Sequence, residues 1–269
     1  MLPGVYQSSS KNGEIYYRAS VTYRGKHISL GSYSCQEDAN KAYLLALEIL
    51  TDNSVYKIEG YPEACPLSFH KWVVLINFRD NLIYFKNPIY LRKRYFLYYL
   101  DLNTCLRFDA EDLFYYAHHK IIRRGGHLFV SDYGMQVNIL SRYGIKNYAV
   151  AGKDYQFVNG DNHDYSYQNI EIVNPYYGVT KVIRKGIPVY VAKIHINGDY
   201  LIGKYHSETE AAIAYNKAVL ILRNKGLTRN YPQNYIEGIN EITYAAIYQK
   251  LRISKKLLSF ADSIVSKSQ

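Results

Sequence analysis

Residues 16–24, YYRASVTYR, alternate along the chain: Tyr17, Ala19, Val21 and Tyr23 fall on one side, and Arg18, Ser20, Thr22 and Arg24 on the other. A period of two predicts a half-buried strand. Arg24-Gly25-Lys26 predicts a turn, and HISLGSY after it begins another strand. The period then lengthens. Ser34 stands where a helix cap belongs, with Glu37 three residues on in the capping-box position. Ala39, Ala42, Tyr43, Ala46, Leu47 and Leu50 share one helical stripe. Together these elements predict a three-stranded antiparallel sheet packed on one helix, with the alanines letting the helix lie close.

The pattern occurs twice. Gly4 to Leu50 matches Gly178 to Leu222 in order: Gly4-Val5 answers Gly178-Val179, and Tyr17, Ala19, Val21 and Gly25 answer Tyr190, Ala192, Ile194 and Gly198. After a one-residue gap, Gly31 and Tyr33 answer Gly203 and Tyr205, and Ala42-Tyr43 answers Ala214-Tyr215. In the second copy Ser207 is the expected cap, Glu210 holds the box position, and Ala211, Ala214, Tyr215, Ala218 and Leu222 form the stripe. Each copy is later followed by Tyr-Pro. So many ordered matches identify an internal duplication.

Between the copies, TDNSVYKIEGYPEACP (51–66) reads as the end of the first plus a linker. FHKWVVLINF and LIYFKNPIYLRKRYFLYYLDL read as strand-like, FDAEDLFYYAHHKII as a short helix capped at Asp109, and GGHLFVSDYGMQVNILSRYG as a hairpin. Residues 239–267 read as one long helix or two short ones, with Ile239, Ile242, Ala246, Leu251, Leu258 and Ile264 on an imperfect stripe. Packing on the second repeat is the preferred role for that segment and dimerisation the alternative; the sequence fixes no oligomeric state. The expected divisions are 1–62, 67–174, 175–232 and 233–269.

Composition narrows the function. The 269 residues are 48% hydrophobic with a net charge of +10, which allows real cores and favours polyanionic partners, nucleic acid above all. No apolar run approaches a membrane span and the N-terminus lacks the plan of a signal peptide, so a cytoplasmic protein is expected. Cys35, Cys65 and Cys105 form no C-x-x-C pair and read as reduced, structural thiols. Tyrosine is abundant, 31 against 9 Phe. It suits base stacking and phosphate contact, although an AT-rich coding bias that also favours Lys, Asn and Ile accounts for most of it.

The residues just described closely resemble the apetala/ethylene-response-factor DNA-binding domain: Gly-Val, an aromatic-x-Ala-x-Ile/Val strand, Leu-Gly-x-Tyr, then Glu-x-Ala-x-x-Ala-Tyr. The resemblance implies a sheet lying in the DNA major groove, backed by a helix. By position it implies contacts from Tyr6, Arg18, Ser20, Thr22, Arg24 and Lys26, and in the second copy from Thr180, Lys181, Lys193, His195 and Asn197. Tyr6 and Thr180 replace arginines of the family, and Tyr17 and Tyr190 replace tryptophans, so base preference does not carry over.

Residues 67–222 also resemble HNH homing endonucleases with appended apetala-type domains. Asp109 and Asp112 match the early acidic pair, and Asn159-Gly160-Asp161 and Asn169-Ile170 match the later loop and a helix end. The family's His-Arg is Ser141-Arg142 here, and its Asp-His is Gln156-Phe157. Ser141 is a poor metal ligand and Phe157 cannot take a proton. His118-His119, His127, Asp161, His163 and Asp164 have no standard metal-ligand spacing. The expectation is a degenerate HNH remnant (Ser141, Arg142, Phe157, Asn159, Asp161, His163, Asn169) with no catalytic residue, metal or cofactor.

The expected fold is therefore α+β: two three-stranded sheet-plus-helix domains flanking a degenerate ββα centre, with a C-terminal helix. The expected function is sequence-preferring binding of double-stranded DNA by a regulator of mobile-element or phage descent, acting by occupancy. An active nuclease with a non-standard metal site and a protein-binding inhibitor of a nucleic-acid machine are the alternatives.

Overall fold

The computed structural model describes residues 1–52 and 55–265. Asn53 and Ser54 of the expected linker, and residues 266–267 at the end of the last expected helix, lie outside them. The chain is a mixed α+β fold of several small sheets, mostly antiparallel, with six α-helices among the described residues. It forms two compact units, Met1–Ile139 with Asn159–Asn169, and Leu140–Val158 with Ile170–Gln269. These units run across the four divisions expected from the sequence.

The first unit opens with β1 (Val5–Ser9), β2 (Ile15–Tyr23) and β3 (Lys26–Tyr33) in one antiparallel sheet, followed by α1 (Gln36–Thr51). Ala39, Ala42, Ala46, Ile49 and Leu50 of α1 are buried against Val5, Ala19, Val21, Ile28 and Leu30 of the sheet. The helix starts one residue later than expected. Its cap is Cys35, with no side-chain cap bond, in place of Ser34.

The next element overturns an expectation. FHKWVVLINF is a helix, α2 (Phe69–Asn81), not a strand. Every residue from Trp72 to Arg79 is buried, so the segment is apolar nearly all round, and a helix buried on all sides shows no period. Its ends obey ordinary chemistry. Ser68 Oγ accepts from the Lys71 amide, and Leu82 closes the helix in the left-handed conformation (φ 60°).

Then come β4 (Ile89–Leu91), β5 (Tyr95–Asp101), β6 (Thr104–Asp109), the short α3 (Leu113–His118), and a three-stranded meander of β7 (Ile121–Arg124), β8 (His127–Asp132) and β9 (Met135–Asn138). Aromatic rings fill the space beside β5 and β6. Phe108 stacks on Phe96 and Tyr165 at 5.4 Å each and meets Tyr116 at 4.3 Å.

β10 (Tyr155–Phe157) belongs to the second unit, whereas β11 (Asp164–Tyr165) returns to the first and adds a parallel edge to the sheet β11-β6-β5-β4. β12 (Ile170–Ile172) pairs with β10. Where the HNH resemblance implies a helix ending at Asn169-Ile170, the chain makes a single 3-10 turn, Tyr167–Asn169.

The second unit repeats the first sheet as β13 (Val179–Arg184), β14 (Ile187–His195) and β15 (Asp199–Tyr205), backed by α4 (Glu208–Asn224). Here the expected cap is realised: Ser207 Oγ accepts from the Glu210 amide at 3.1 Å. α5 (Glu241–Lys250) and α6 (Lys255–Val265) follow, so the C-terminal segment is two helices. Its buried positions are Leu257 and Ala261, while Ile242 of the expected stripe is 81% exposed. That stripe was drawn across the break at Leu251–Ser254, where the helical phase is reset.

The two sheets share a fine detail. The pairing of β2 with β3 slips between Ala19 and Ser20, and that of β14 with β15 slips between Ala192 and Lys193. The extra residues, Leu30 and Ile202, both turn into the core. Such bulges increase local twist and re-aim side chains. The Gly-Val motif has a steric cause. Gly4 and Gly178 take φ near 70°, and a Cβ there would strike the rings of Tyr43 and Tyr215 respectively. In each copy the glycine carbonyl accepts from the amide just past the bulge, Ser20 or Lys193.

Candidate nucleic-acid interface

Each helix covers one face of its sheet and leaves the other as the candidate interface. In the first copy strand alternation and cross-strand pairing place Tyr6, Arg18, Ser20 and Thr22 on the open face, opposite Ser29, Ser32 and His27 of β3. Arg18 lies 5.9 Å from the Tyr16 ring centroid, and Thr22 Oγ1 is 3.3 Å from His27 Nδ1. Ser20 sits low among these neighbours and is buried. Arg24 and Lys26 are placed elsewhere. Lys26 pairs with Tyr23, a core-facing residue, and its ammonium lies 4.8 Å over Tyr84. Arg24 sits at the turn with φ 47° and its guanidinium beside Tyr23. The sequence pattern missed Tyr16, His27, Ser29 and Ser32. Tyr16 follows from extending the alternation of β2 by one step, and counting across the hairpin to β3 finds the other three.

The second open face is different. Thr180, Lys193 and His195 lie on it, together with Val182, Val191, Leu201, Arg184 and Lys204. Lys181 faces the helix side, where its charge helps offset the burial that raises the Glu208 carboxyl above its usual range. Asn197 is in the β14–β15 turn and exposed. His195 Nδ1 lies 2.9 Å from Asp199 Oδ1, and that hydrogen bond is the main cause holding the Asp199 carboxyl below its ordinary range. Segments 146–154 and 229–232 stand beside this face, enclosing a groove of about 1200 Å³.

The residues matched to the HNH motif are divided between the units. Ser141, Arg142 and Phe157 belong to the second; Asn159, Asp161, His163 and Asn169 belong to the first. The latter form a loop knitted by side-chain to backbone bonds. Buried Asn169 accepts from the Asn159 amide at 2.8 Å and donates to the Asp164 carbonyl at 2.8 Å and the Asp161 carbonyl at 3.2 Å. Asn159 Oδ1 accepts from the Asp161 amide, and Asp161 Oδ1 from the His163 amide. Buried Asp164 accepts from Asn159 Nδ2, from both the amide and hydroxyl of Ser166, and faces Arg107 at 3.7 Å. Asp109, expected to cap a helix, instead accepts from the Tyr167 amide at 2.8 Å. Asn159, Asp164 and Asn169 are thus committed to the loop's own groups, while the side chains of Asp161 and His163 stay exposed.

Among the described residues no group of three or more His, Cys, Asp or Glu could hold a metal ion. His118 and His119 each bond the carbonyl four residues back, and His119 also approaches Asp132 at 3.4 Å. The three cysteines are free thiols, and burial raises that of Cys105 to about 11. No helix among the described residues is long and apolar enough to cross a membrane.

No model of a known protein family matches this chain, and neither a curated protein nor a solved structure does.

Proposed function

We propose that the protein binds double-stranded DNA through the open faces of its two repeated sheets and works by occupancy rather than by cutting. The observation that supports this most is the duplicated unit itself. Each copy backs a three-stranded sheet with a helix on one side only, in a chain of net charge +10. An exposed β-ribbon bearing hydroxyls, Arg18, Lys193 and His195 has the size and chemistry to reach base edges in a major groove about 12 Å wide, while cations elsewhere neutralise phosphates. Two readers in one chain raise each other's effective concentration on a single duplex. Descent from a mobile-element nuclease, as the resemblance implies, fits a regulator that kept the binding and lost the cutting.

Anisotropy titration of labelled duplex against salt checks the reading. Neutralising even three phosphates should lower affinity roughly tenfold or more between 50 and 200 mM salt; an affinity flat with salt sinks it. Supercoiled plasmid incubated with Mg²⁺, Mn²⁺ or Ni²⁺ should remain intact. Nicking that disappears in His163→Ala or Asn159→Ala would replace this reading with that of a metal-dependent nuclease.

A further inference from the structure

The two open faces are not equivalent, and the difference has a functional meaning. A sheet that inserts into a duplex groove must stand proud of its surroundings. The face of β13–β15 is instead the floor of a concave groove of about 1200 Å³. Val182, Val191 and Leu201 give that floor apolar patches among Thr180, Lys193 and His195. Aliphatic side chains offer base edges no hydrogen bonds, but they suit the flat faces of unpaired bases.

The segments beside the floor are firmly held. Lys146 donates to the Tyr176 carbonyl at 2.7 Å and pairs with Asp154 at 3.0 Å, and Asp154 also accepts from the Val150 amide at 2.9 Å. On the other segment Tyr231 donates its hydroxyl to the His195 carbonyl at 2.8 Å and Arg229 donates to the Ile196 carbonyl at 3.0 Å. Within this rigid frame Tyr148 is 94% exposed and held at φ 64°. A bulky side chain in the left-handed region is a strained arrangement whose retention asks for a use.

Charge identifies the occupant. Six Lys and Arg side chains line the groove against two carboxylates, and both carboxylates are already engaged: Asp154 by Lys146 and Asp199 by His195. Lys153, Arg184, Lys193, Lys204 and Arg229 remain to face a polyanion. A floor with apolar patches, a cationic lining and an exposed aromatic ring are the combination that holds a single strand by stacking and phosphate contact.

We infer that the groove of the second repeat binds single-stranded DNA, while the first repeat keeps the duplex-facing role. The inference rests on the reading that the chain binds DNA and departs from it in one respect: the face of β13–β15 meets a single strand in place of a duplex.

Fluorescence anisotropy with a labelled 15-mer oligothymidylate and a labelled hairpin duplex, each with the full chain, tests it. The double variant Tyr148→Ala/Lys153→Ala should lose about tenfold or more of its affinity for oligothymidylate and keep that for duplex. Tyr148→Phe, which preserves the ring, should bind oligothymidylate like the wild type. Arg18→Ala/Thr22→Ala should do the opposite of the double variant, weakening duplex alone. The altered side chains are exposed, so thermal melts should match the wild type. Wild-type protein that binds duplex but not oligothymidylate overturns the inference and leaves the duplex reading standing. So does oligothymidylate binding indifferent to the groove variant, a variant that weakens both ligands equally, or tighter binding to oligouridylate. Oligothymidylate binding that depends on Tyr148, with no duplex binding, supports the groove and overturns the duplex reading. Absence of binding to both overturns both.

Discussion

Replacing Trp72 with alanine should lower the stability of the first unit by about 3–5 kcal/mol, the range for emptying a large buried aromatic site. Trp72 is 1% exposed and lies on the helix whose whole circumference is covered. Its indole meets Tyr56 and Tyr61 edge-to-face at 5.6 Å each and donates to the Lys57 carbonyl at 3.0 Å. The substitution therefore opens a cavity, removes two ring contacts and leaves a carbonyl without its donor. A rigid helix cannot collapse into the space without drawing α1 and the first sheet with it, since all three share one core. Urea unfolding followed by far-ultraviolet circular dichroism is the right measurement, because the chain has one tryptophan and the variant loses that fluorescence probe. A midpoint within experimental error of the wild type would show that Trp72 does not hold this core together. Because the first sheet shares that core, the proposed duplex binding should weaken in parallel at temperatures where the variant begins to melt.

Asn169→Ala carries the second large effect, about 3 kcal/mol, from the loss of three hydrogen bonds at a buried site that water reaches poorly. The Asn159 amide would lose its acceptor, the Asp164 carbonyl the Asn169 donor, and the Asp161 carbonyl one of two donors, the Asp164 amide remaining. The same carboxamide bridges both ends of the loop, so its removal should also free β11 from β6. Amide exchange is expected to accelerate across 159–169, and a protease should cut there first. Asn169→Asp cannot rescue the variant, since a carboxylate accepts but does not donate. Unchanged exchange and stability would mean that the asparagine is kept for something other than architecture, and would revive the nuclease alternative.

The repeat was legible because it obeys local rules: period two in the strands, a stripe of alanines on the helix, Ser207 at its cap. What escaped was whatever depended on distant partners. The apolar run from Trp72 to Phe78 has no period, since neighbours from several elements cover it all round. The strand Asp164–Tyr165 is two residues long, and only Arg107 and Phe108, far away in sequence, define it. The stripe along 239–267 failed because one frame was carried across a break. Among the expected contacts, alternation places Arg18 and Thr22 on the open face, whereas pairing with Tyr23 puts Lys26 on the other side. The charged groove was invisible for the same reason: segments 146–154 and 229–232 reach the sheet only through the fold. The tyrosines are also clearer in three dimensions. Several are structural anchors with the hydroxyl fixed on a backbone carbonyl, as in Tyr33 to Pro66 and Tyr205 to Arg252, and burial raises both phenols to about 12.

The slip in pairing shared by the two sheets has a consequence for how such a chain can change over time. In both copies it pins the register and sends Leu30 or Ile202 inward, while most outward positions, Arg18, Thr22, Lys193 and His195 among them, stay exposed. Mutations at those exposed positions therefore disturb the core little, and after duplication the two halves can drift apart on their outer faces while remaining one scaffold. Arg18 and Val191 occupy the same place in that scaffold, one an ion and the other a hydrocarbon.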